Sequence, residues 1–501
     1  MKNTRSKWCF AAGCTGRDLC YTLVSLFLLT YIQYTNLVNT DQFMVLTVII
    51  VLCRVWDAIN DPLMGTLISN TKTKFGKYRP WILIGCILNV IFLIGLFTVR
   101  VDVGNNIDTL GWYNVAILGV FYLFWGMTYT MNDVGYWSLL PVLSKEKKER
   151  DSLTTMVAIF ASIGAFASGG IIPMVTPNNM IEAYRICAII FASIFFICQL
   201  LVFFFVYDNK ENKFKLDSVQ IEAKDEIVSL IDMFKILFRN KQLLVMAGVV
   251  LLHSLASAIL NAFGQNFFYF KFGYTGDKMF IFTVMNAVGT IVSQAFYPFL
   301  SSRFKRSQIV TVSLSILTIG YILFFAIANI NMPSDLCFML LCVFGALIFF
   351  GQGVFYMAML IMLTNTIEYD EWKTGKRNDA ITFSVRPFMV KLAGAIQYLV
   401  VAVTIVICGL YSISEQIGQI EANKSLGIIT ESECASQISL LLAQVNPSQI
   451  FGLTLVMSIV PIILYVIAFI LIKKKYIIDE NLYDKMIKEI DERGKNKNET
   501  N

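Results

Sequence analysis

The sequence predicts an all-α integral membrane protein with about twelve membrane-spanning helices. Of its 501 residues, 56% are hydrophobic and only 15% are charged, whereas a soluble protein carries roughly 25% charged residues. The mean hydropathy is +0.64. The apolar residues also form long continuous blocks and do not alternate with polar ones. These three observations together exclude an ordinary soluble domain.

Each apolar block is a candidate spanning helix. A span needs about 20 mostly apolar residues, and a helix satisfies its own backbone hydrogen bonds, which lipid cannot do. An outer-membrane barrel is excluded, because its strands would alternate apolar and polar residues. The blocks are residues 19–37, 43–55, 81–99, 115–129, 153–175, 186–206, 243–260, 279–300, 309–328, 336–363, 381–411 and 450–472.

Basic residues are concentrated in every second connection between the blocks. They lie in the N-terminal segment, in residues 69–79, 144–151, 208–241, 301–306 and 371–377, and in the tail from residue 473. Because Lys-rich and Arg-rich loops stay in the cytoplasm, both termini are predicted to be cytoplasmic, in a cell inner or plasma membrane. The net charge of +6 is therefore a topology signal, and no nucleic-acid partner is expected.

The longest internal polar stretch divides the chain into two halves of six blocks. We predict an N-terminal six-helix half (1–207), a cytoplasmic middle loop (208–241), a C-terminal six-helix half (242–475) and a cytoplasmic tail (476–501). The stretch EYDEWKTGKRND is interpreted as a cytoplasmic gate or hinge, with a solvated loop as the alternative. The polar, acidic stretch 412–448 is expected to be external, with no role assigned beyond a cap.

Charged residues interrupt the second block in the stretch CRVWDAINDPLMG. A charge inside the bilayer costs several kcal/mol and usually marks an ion or substrate path. Asp57 and Asp61 are four residues apart and share a helix face. Asn60 adds an amide oxygen, and Arg54 can offset one carboxylate. Such hard oxygen ligands suit a monovalent cation, namely Na⁺, Li⁺ or H⁺. A buried Arg54–Asp57 ion pair that only fixes packing is the alternative.

A second set of residues suggests a sugar site. Asp133 and Trp137 are four residues apart, so they lie on one helix face. A carboxylate accepts hydrogen bonds from hydroxyl groups, and an indole packs on the C–H face of a pyranose. Asp18 adds a second acceptor, whereas Trp137 alone would be an ordinary interfacial residue. In the other half of the chain, Lys391 would neutralise the cation-binding pair, Asp57 and Asp61, when the cation leaves.

Two residue types are given structural roles only. The single histidine, His253, lies in an apolar block and is interpreted as a packed helix residue. The eleven cysteines contain no CxxC pair, so neither a disulfide framework nor a zinc site is expected. No cofactor is predicted.

Four motifs carry a resemblance to a known family. They are RVWDAINDPLMG, KFGKYRPWILIG, WGMTYTMNDVGYWSL and NTIEYDEWKTGKRNDAITFSVRPFMVKLAGA. In order and spacing they resemble the signatures of the glycoside–pentoside–hexuronide:cation symporters, over residues 8–475. The resemblance implies the major facilitator fold, with twelve transmembrane helices in two six-helix halves. It also implies alternating access and cation-driven uptake.

The resemblance assigns roles to individual residues of this chain. The cation-binding set is Asp57, Asn60, Asp61 and Thr130. The sugar-binding set is Arg17, Asp18, Asp133, Trp137 and Lys391, with Lys391 and Arg54 balancing charge.

The chain departs from the family's best understood member in the sugar cavity. A fifth-helix arginine is matched by Ala158, a tenth-helix tryptophan by Tyr356, and an eleventh-helix glutamine–threonine pair by Arg386–Pro387. Tyr356 and Arg386 therefore join the predicted sugar-binding set. Arg386 could pair with a uronate carboxylate, a group that a guanidinium suits. It could equally pair with one of the two acids expected to bind sugar.

The function predicted from the sequence is cation-coupled import of a glycoside, pentoside or hexuronide by a chain that works as a monomer. Its partners would be the sugar, the monovalent cation and the lipid bilayer. Asn60 and Thr130 favour Na⁺ over H⁺. The alternative is a carrier of the same fold for a non-sugar substrate such as a lysolipid or a drug. A magnesium-dependent membrane enzyme is disfavoured, because the apolar blocks hold no second DxxxD spacing.

Overall fold

The computed structural model of the chain is helical throughout its described part. It describes residues 2–71, 73, 75–104, 106–143, 147–177, 179–206, 235, 237–375 and 379–499. In these ranges the backbone forms helices, their connections and an isolated bridge between Thr73 and Gly76. The predicted all-α class is confirmed. The predicted middle loop, 208–241, falls mostly outside the described residues.

Fifteen helices are present in the described ranges. In chain order they are α1 (Lys2–Tyr34), α2 (Thr40–Ser69), α3 (Arg79–Thr98), α4 (Ile107–Leu143), α5 (Lys147–Val175), α6 (Met180–Phe205), α7 (Lys241–Phe272), α8 (Asp277–Arg303), α9 (Arg306–Asn329), α10 (Ser334–Thr374), α11 (Asp379–Ile407), α12 (Leu410–Ser425), α13 (Glu431–Ala443), α14 (Pro447–Lys475) and α15 (Glu480–Glu499).

Eleven of these helices are long and apolar enough to cross a membrane: α2 to α11 and α14. The sequence analysis counted twelve, and the helix that differs is α1. It has 33 residues, but Arg17, Asp18 and several hydroxyl side chains lower the hydropathy of its central part. The two charged residues that make α1 less apolar, Arg17 and Asp18, are thus predicted site residues.

The helices divide into two compact units. Unit 1 comprises residues 2–206, Phe268–Phe280 and Tyr398–Asn446, and unit 2 comprises residues 235–267, Ile281–Gln397 and 447–499. Helix α11 therefore belongs to unit 2 up to Gln397 and to unit 1 from Tyr398. The boundaries predicted from the sequence stay a prediction.

Glycines let helices approach closely in unit 1, where α1 packs against α5 and α6. A Cβ on Gly16 would lie 2.6 Å from the Cα of Phe195 in α6, and a Cβ on Gly164 would lie 2.2 Å from the carbonyl oxygen of Thr15. Small residues at helix contacts are typical of membrane proteins, because packing there has no hydrophobic effect to drive it. These two contacts fix the position of α1 against α5 and α6, next to Arg17 in the sequence.

Buried amide side chains add hydrogen bonds between the helices of unit 1. Gln199 of α6 donates to the carbonyl of Gly13 at 2.8 Å. Asn132 of α4 donates to the carbonyl of Ile82 at 2.8 Å. A buried amide without a partner would be costly, so these bonds restrict how α1, α3, α4 and α6 can pack.

The stretch 412–448, expected to be an external loop, contains the two short helices α12 and α13. Helix α12 packs against α1. Gln33 of α1 donates to the Ser414 hydroxyl at 2.6 Å, and the Tyr411 hydroxyl donates to the carbonyl of Val38 at 2.7 Å. The stretch is therefore an ordered part of unit 1.

A buried carboxylate, that of Glu421 in α12, joins three segments of unit 1. Its Oε2 accepts from the backbone N–H of Met180 at 2.6 Å, and its Oε1 accepts from the hydroxyl of Tyr274 at 2.9 Å. Met180 opens α6, whose N-cap residue Asn179 makes no capping bond with its own side chain. Glu421 thus supplies the negative charge and the acceptor that a helix N-terminus favours.

Replacing Glu421 should destabilise unit 1. In Glu421→Ala the Met180 N–H and the Tyr274 hydroxyl lose their acceptor, which should cost about 3 kcal/mol. Glu421→Gln should cost less, since an amide oxygen still accepts one bond. The measurement is thermal unfolding in detergent. The control is Glu431→Ala, because Glu431 is 83% exposed and lies 3.7 Å from Lys424; such a pair contributes about 1 kcal/mol or less. Equal losses in the two alanine variants would contradict this role.

In unit 2, α9 packs against α10 and α14, and α10 packs against α15. The stretch EYDEWKTGKRND was expected to be a loop, but its first seven residues continue α10 to Thr374. The helix ends at Gly375, which adopts a left-handed conformation (φ 68°). Asp370 is buried on this last part of α10 and pairs with Arg239 at 3.3 Å. These seven residues are helical and do not form a loop, and Asp370 finds its partner just before α7. The gate or hinge role stays a prediction.

Candidate functional site

The two acids of α2 share one hydroxyl group from α4. Thr130 Oγ1 lies 2.9 Å from Asp57 Oδ1 and 3.1 Å from Asp61 Oδ1. A hydroxyl has one proton, so it donates to one carboxylate at a time. The two carboxylate oxygens are therefore at most about 6 Å apart.

The residues around the Asp57–Asp61 pair are mostly buried. Asp57 and Asn60 are buried, and Asn60 Nδ2 has no hydrogen-bond partner among the described residues. A shallow recess lies against Asp57, and its lining includes Trp125 and Gly126 of α4. In the described part of the chain, no three His, Cys, Asp or Glu side chains are grouped to hold a metal ion. The oxygen atoms brought together here come from two carboxylates and a hydroxyl, and such oxygen ligands suit a hard cation.

Arg54 lies among tyrosine rings. Its guanidinium donates to the Tyr21 hydroxyl at 3.1 Å and lies over the rings of Tyr21, Tyr122 and Tyr398, with 5.3–5.9 Å from Cζ to the ring centroids. The alternative of an Arg54–Asp57 ion pair stays a prediction. Cation–π contacts of this kind stabilise a desolvated guanidinium, so the aromatic rings hold this charge.

Arg17 connects the two acids predicted to bind sugar. Its Nη1 lies 2.8 Å from Asp133 Oδ1, and its Nη2 lies 3.3 Å from Asp18 Oδ2. Arg17 is only 3% exposed, whereas the two aspartates are 25% and 32% exposed. One positive charge thus holds two carboxylates in place, and both keep a side open to water. The cluster has a net charge of −1.

Aromatic and sulfur groups complete the surroundings of Arg17. Its Cζ lies 4.7 Å from the ring centroid of Tyr136 and 5.0 Å from that of Trp137. The Cys14 thiol lies 3.0 Å from Arg17 Nη2 and 3.1 Å from Asp18 Oδ2. The Trp137 ring remains partly exposed, and an exposed indole edge beside two carboxylates is suited to a hydroxyl-rich ligand.

The remaining predicted residues belong to unit 2. Arg386 of α11 donates a hydrogen bond to the Tyr356 hydroxyl, and its Cζ lies 5.7 Å from the centroid of that ring. Lys391 lies on the same helix, partly buried. Tyr356 and Arg386, which the sequence analysis named as departures from the family pattern, are therefore in direct contact.

Sequence reasoning missed several residues of these clusters. Cys14 could have been found, since it is three and four residues before Arg17 and Asp18 on one helix face. The rings around Arg54 could not have been found in this way. Tyr398 is far from Arg54 along the chain, and a tyrosine in an apolar block gives no signal of its own.

Replacing Arg17 should destabilise unit 1. In Arg17→Gln two carboxylates lose their shared counter-ion. A fully buried pair costs roughly 3–5 kcal/mol to break, and the partial exposure of both aspartates reduces the expected loss to about 2 kcal/mol. Thermal unfolding in detergent measures it. Arg185→Gln is the control, because Arg185 pairs with Glu182 on an exposed surface and its loss should be below about 0.5 kcal/mol. A loss in Arg17→Gln no larger than in this control would contradict the shared-counter-ion interpretation.

Comparison with known proteins places this geometry in context. The sequence profile of a family described as "MFS/sugar transport protein" matches residues 9–480. Relatives include a lactose permease of Lactobacillus delbrueckii subsp. bulgaricus, 28% identical over 79% of this chain and 62% of its own length. A raffinose carrier protein of Pediococcus pentosaceus is 28% identical over 80% and 62%. The chain thus spans less than two thirds of these two relatives.

A further relative matches along most of its own length. A glucuronide carrier protein homolog of Escherichia coli is 25% identical over 77% of this chain and 80% of that protein. These relatives are named as permeases and carriers, so the family is one of transporters and not of enzymes. The enzyme alternative weighed from the DxxxD spacing finds no support among them.

Solved structures share the fold. A bacterial homolog of the human lysosomal transporter Spinster aligns with a TM-score of 0.63 at 12% identity, over 95% of this chain and 98% of the other. A D-xylose–proton symporter aligns with a TM-score of 0.55 at 10% identity, over 88% and 98%. At such identities the likeness concerns the fold alone. It confirms the predicted all-α fold, and the family match together with the eleven long apolar helices of the described ranges makes this a multi-pass membrane protein.

Proposed function

Because this chain belongs to the family of MFS/sugar transport proteins, we propose that it is a cation-coupled sugar symporter. It imports a glycoside, pentoside or hexuronide together with a monovalent cation. The observation that carries the proposal is the shared Thr130 hydroxyl between Asp57 and Asp61. The ligands of this site are hard oxygen atoms on two spanning helices. A charged side chain inside such a helix is costly and usually marks an ion or substrate path.

The coupling ion binds at the acid pair. Two carboxylates this close repel each other, and a bound cation removes that repulsion. Asp57, Asp61 and Thr130 supply the ligands, and Asn60 adds its amide oxygen. A hydroxyl and an amide oxygen favour Na⁺ or Li⁺ over a bare proton, because a proton needs only one carboxylate oxygen. Na⁺ is the ion we assign first.

The sugar binds at the Arg17 cluster. The partly exposed carboxylates of Asp18 and Asp133 accept bonds from sugar hydroxyls, and Trp137 packs against a sugar ring. Arg17 holds both carboxylates in place through its two ion pairs. Tyr356, Arg386 and Lys391 are the substrate-facing residues that we assign to unit 2. The lactose, raffinose and glucuronide named for the relatives support a galactoside or glucuronide as the first candidates.

Transport follows from the reciprocity of binding. The cation lowers the cost of enclosing the acid pair, so the loaded site can be sealed from one side of the membrane and opened to the other. Cation and sugar each raise the affinity for the other, since coupling free energy is shared equally. The inward cation gradient then drives sugar uptake. No covalent step or cofactor is required.

The proposal includes the setting of the carrier. Both termini lie in the cytoplasm, in a cell inner or plasma membrane, as the distribution of basic loops indicates. A single chain carries both proposed binding sites and acts as a monomer. The alternative is a carrier of the same fold for a non-sugar substrate such as a lysolipid; the exposed Trp137 beside two acids favours the sugar.

Uptake into energised vesicles tests the function. The panel is α- and β-galactosides, xylosides, glucosides and glucuronides, with an imposed Na⁺, Li⁺ or H⁺ gradient. At least one sugar should accumulate only with the cation gradient. Asp57→Cys should abolish accumulation while sugar still binds, because only the coupling ion is lost. Asp133→Cys should abolish sugar binding. If flux ignores every gradient and the Asp57 change, coupling at this pair is refuted and the lysolipid alternative is tested next.

Thr130 should set the affinity for the coupling ion. Thr130→Val keeps the shape of the side chain and removes the hydroxyl, so the half-saturating cation concentration should rise about tenfold, as expected for the loss of about 1.4 kcal/mol. The sugar KM at saturating cation should change little. The control is Thr47→Val in α2, because that hydroxyl donates only to the backbone of its own helix, at 2.8 Å. Equal cation curves for the two variants would remove Thr130 from the site.

A further inference from the structure

The only histidine of the chain occupies a specific position in unit 2. His253 of α7 is buried, and the sequence analysis interpreted it as a packed helix residue. Its ring lies nearly parallel to two aromatic rings of α10. The centroids are 5.6 Å apart at 25° for Phe355, and 5.5 Å apart at 23° for Tyr356. The second of these contacts joins His253 to Tyr356, a predicted substrate-facing residue.

A hydrogen bond fixes the plane of this imidazole. His253 Nδ1 lies 3.1 Å from the hydroxyl of Tyr465 in α14, and the Tyr465 ring meets the imidazole edge-on, with centroids 5.7 Å apart. An aliphatic side chain of similar size would fill the volume but would leave the Tyr465 hydroxyl without this partner. The imidazole is thus held by α14 and in turn stacks on α10.

The stacked Tyr356 ring also holds Arg386. The guanidinium donates to the Tyr356 hydroxyl and lies beside its ring. Its Nε is buried and has no hydrogen-bond partner among the described residues. A buried donor without an acceptor is costly, so an oxygen brought to this N–H, such as a hydroxyl or carboxylate oxygen of a sugar, would remove that cost.

We propose that His253 is a positioning residue for substrate binding in unit 2. It acts through Tyr356: the imidazole fixes the tilt of the Tyr356 ring, and the Tyr356 hydroxyl fixes the direction of the Arg386 donors. The substrate oxygen is bound by Arg386, and His253 does not touch it. This role rests on the proposed function, because it requires that Tyr356 and Arg386 face the sugar.

Transport kinetics separate positioning from simple packing. The probes are a p-nitrophenyl galactoside and a p-nitrophenyl glucuronide, taken up by vesicles under a Na⁺ gradient. His253→Leu keeps the volume and loses the ring stack. Its sugar KM should rise about three- to tenfold with kcat nearly unchanged, as expected for one aromatic contact. His253→Phe restores a ring and should recover most of the affinity. Tyr465→Phe, which frees the imidazole, should fall between wild type and His253→Leu.

The matched control is Phe324→Leu. Phe324 is a buried residue of unit 2 whose ring contacts the rings of Phe267 and Phe282. This variant should lower thermal stability and leave the sugar KM unchanged. If His253→Leu behaves in the same way, losing stability but not affinity, His253 is a packing residue and the proposal is overturned.

A chemical readout tests the stack without transport. Because the chain has one histidine, the absorbance of N-carbethoxyhistidine formed by diethyl pyrocarbonate, in a carrier purified without a histidine tag, reports on His253. Modification should be slow in the wild type, several-fold faster in Tyr356→Ala, and unchanged in Phe324→Leu. An equal rate in Tyr356→Ala overturns the stacking geometry. If the stack is found but the wild type transports neither probe nor any panel sugar, the proposed function has failed and the positioning role fails with it.

Discussion

Charged side chains inside apolar helices must find their partners within the protein, and this constraint organises the whole of unit 1. Lipid offers no counter-ion and no hydrogen bond, so each buried charge determines what packs beside it. Arg17 draws together Asp18 and Asp133 from α1 and α4. Arg54 is enclosed by tyrosine rings from α1, α4 and the last part of α11. The helices of this unit are thereby arranged around two arginines.

The two arginines are held in different ways, and the difference separates the two proposed sites. Arg17 is paired with acids, which leaves a cluster with one excess negative charge that water reaches. Arg54 is held by aromatic rings. The acid pair of α2 instead meets at a neutral hydroxyl group, that of Thr130.

The connections between spanning helices follow the same rule. The segment after α11 folds into two helices because Glu421, a buried acid, finds the N-terminus of α6 and the Tyr274 hydroxyl. The last part of α10, where Asp370 pairs with Arg239, continues as a helix to Thr374. In both places polar residues that suggested loops are ordered by a partner distant in sequence. In this chain, two stretches that hydropathy marks as connections therefore contain helices.

The sequence by itself determined the helical class, nearly all of the spanning helices and the residues of the two acid sets, because hydropathy and helical spacing are local properties. Asp57 and Asp61 share a face at any packing of α2. Tertiary structure alone decided what those residues meet. Thr130 is 73 residues from Asp57, and Glu421 is 241 residues from Met180, so no local pattern pairs them. The Thr130 assignment came from resemblance, and its shared contact came from the fold. Partners across such distances are set by how helices pack, because side-chain contacts between helices depend on the position and rotation of both.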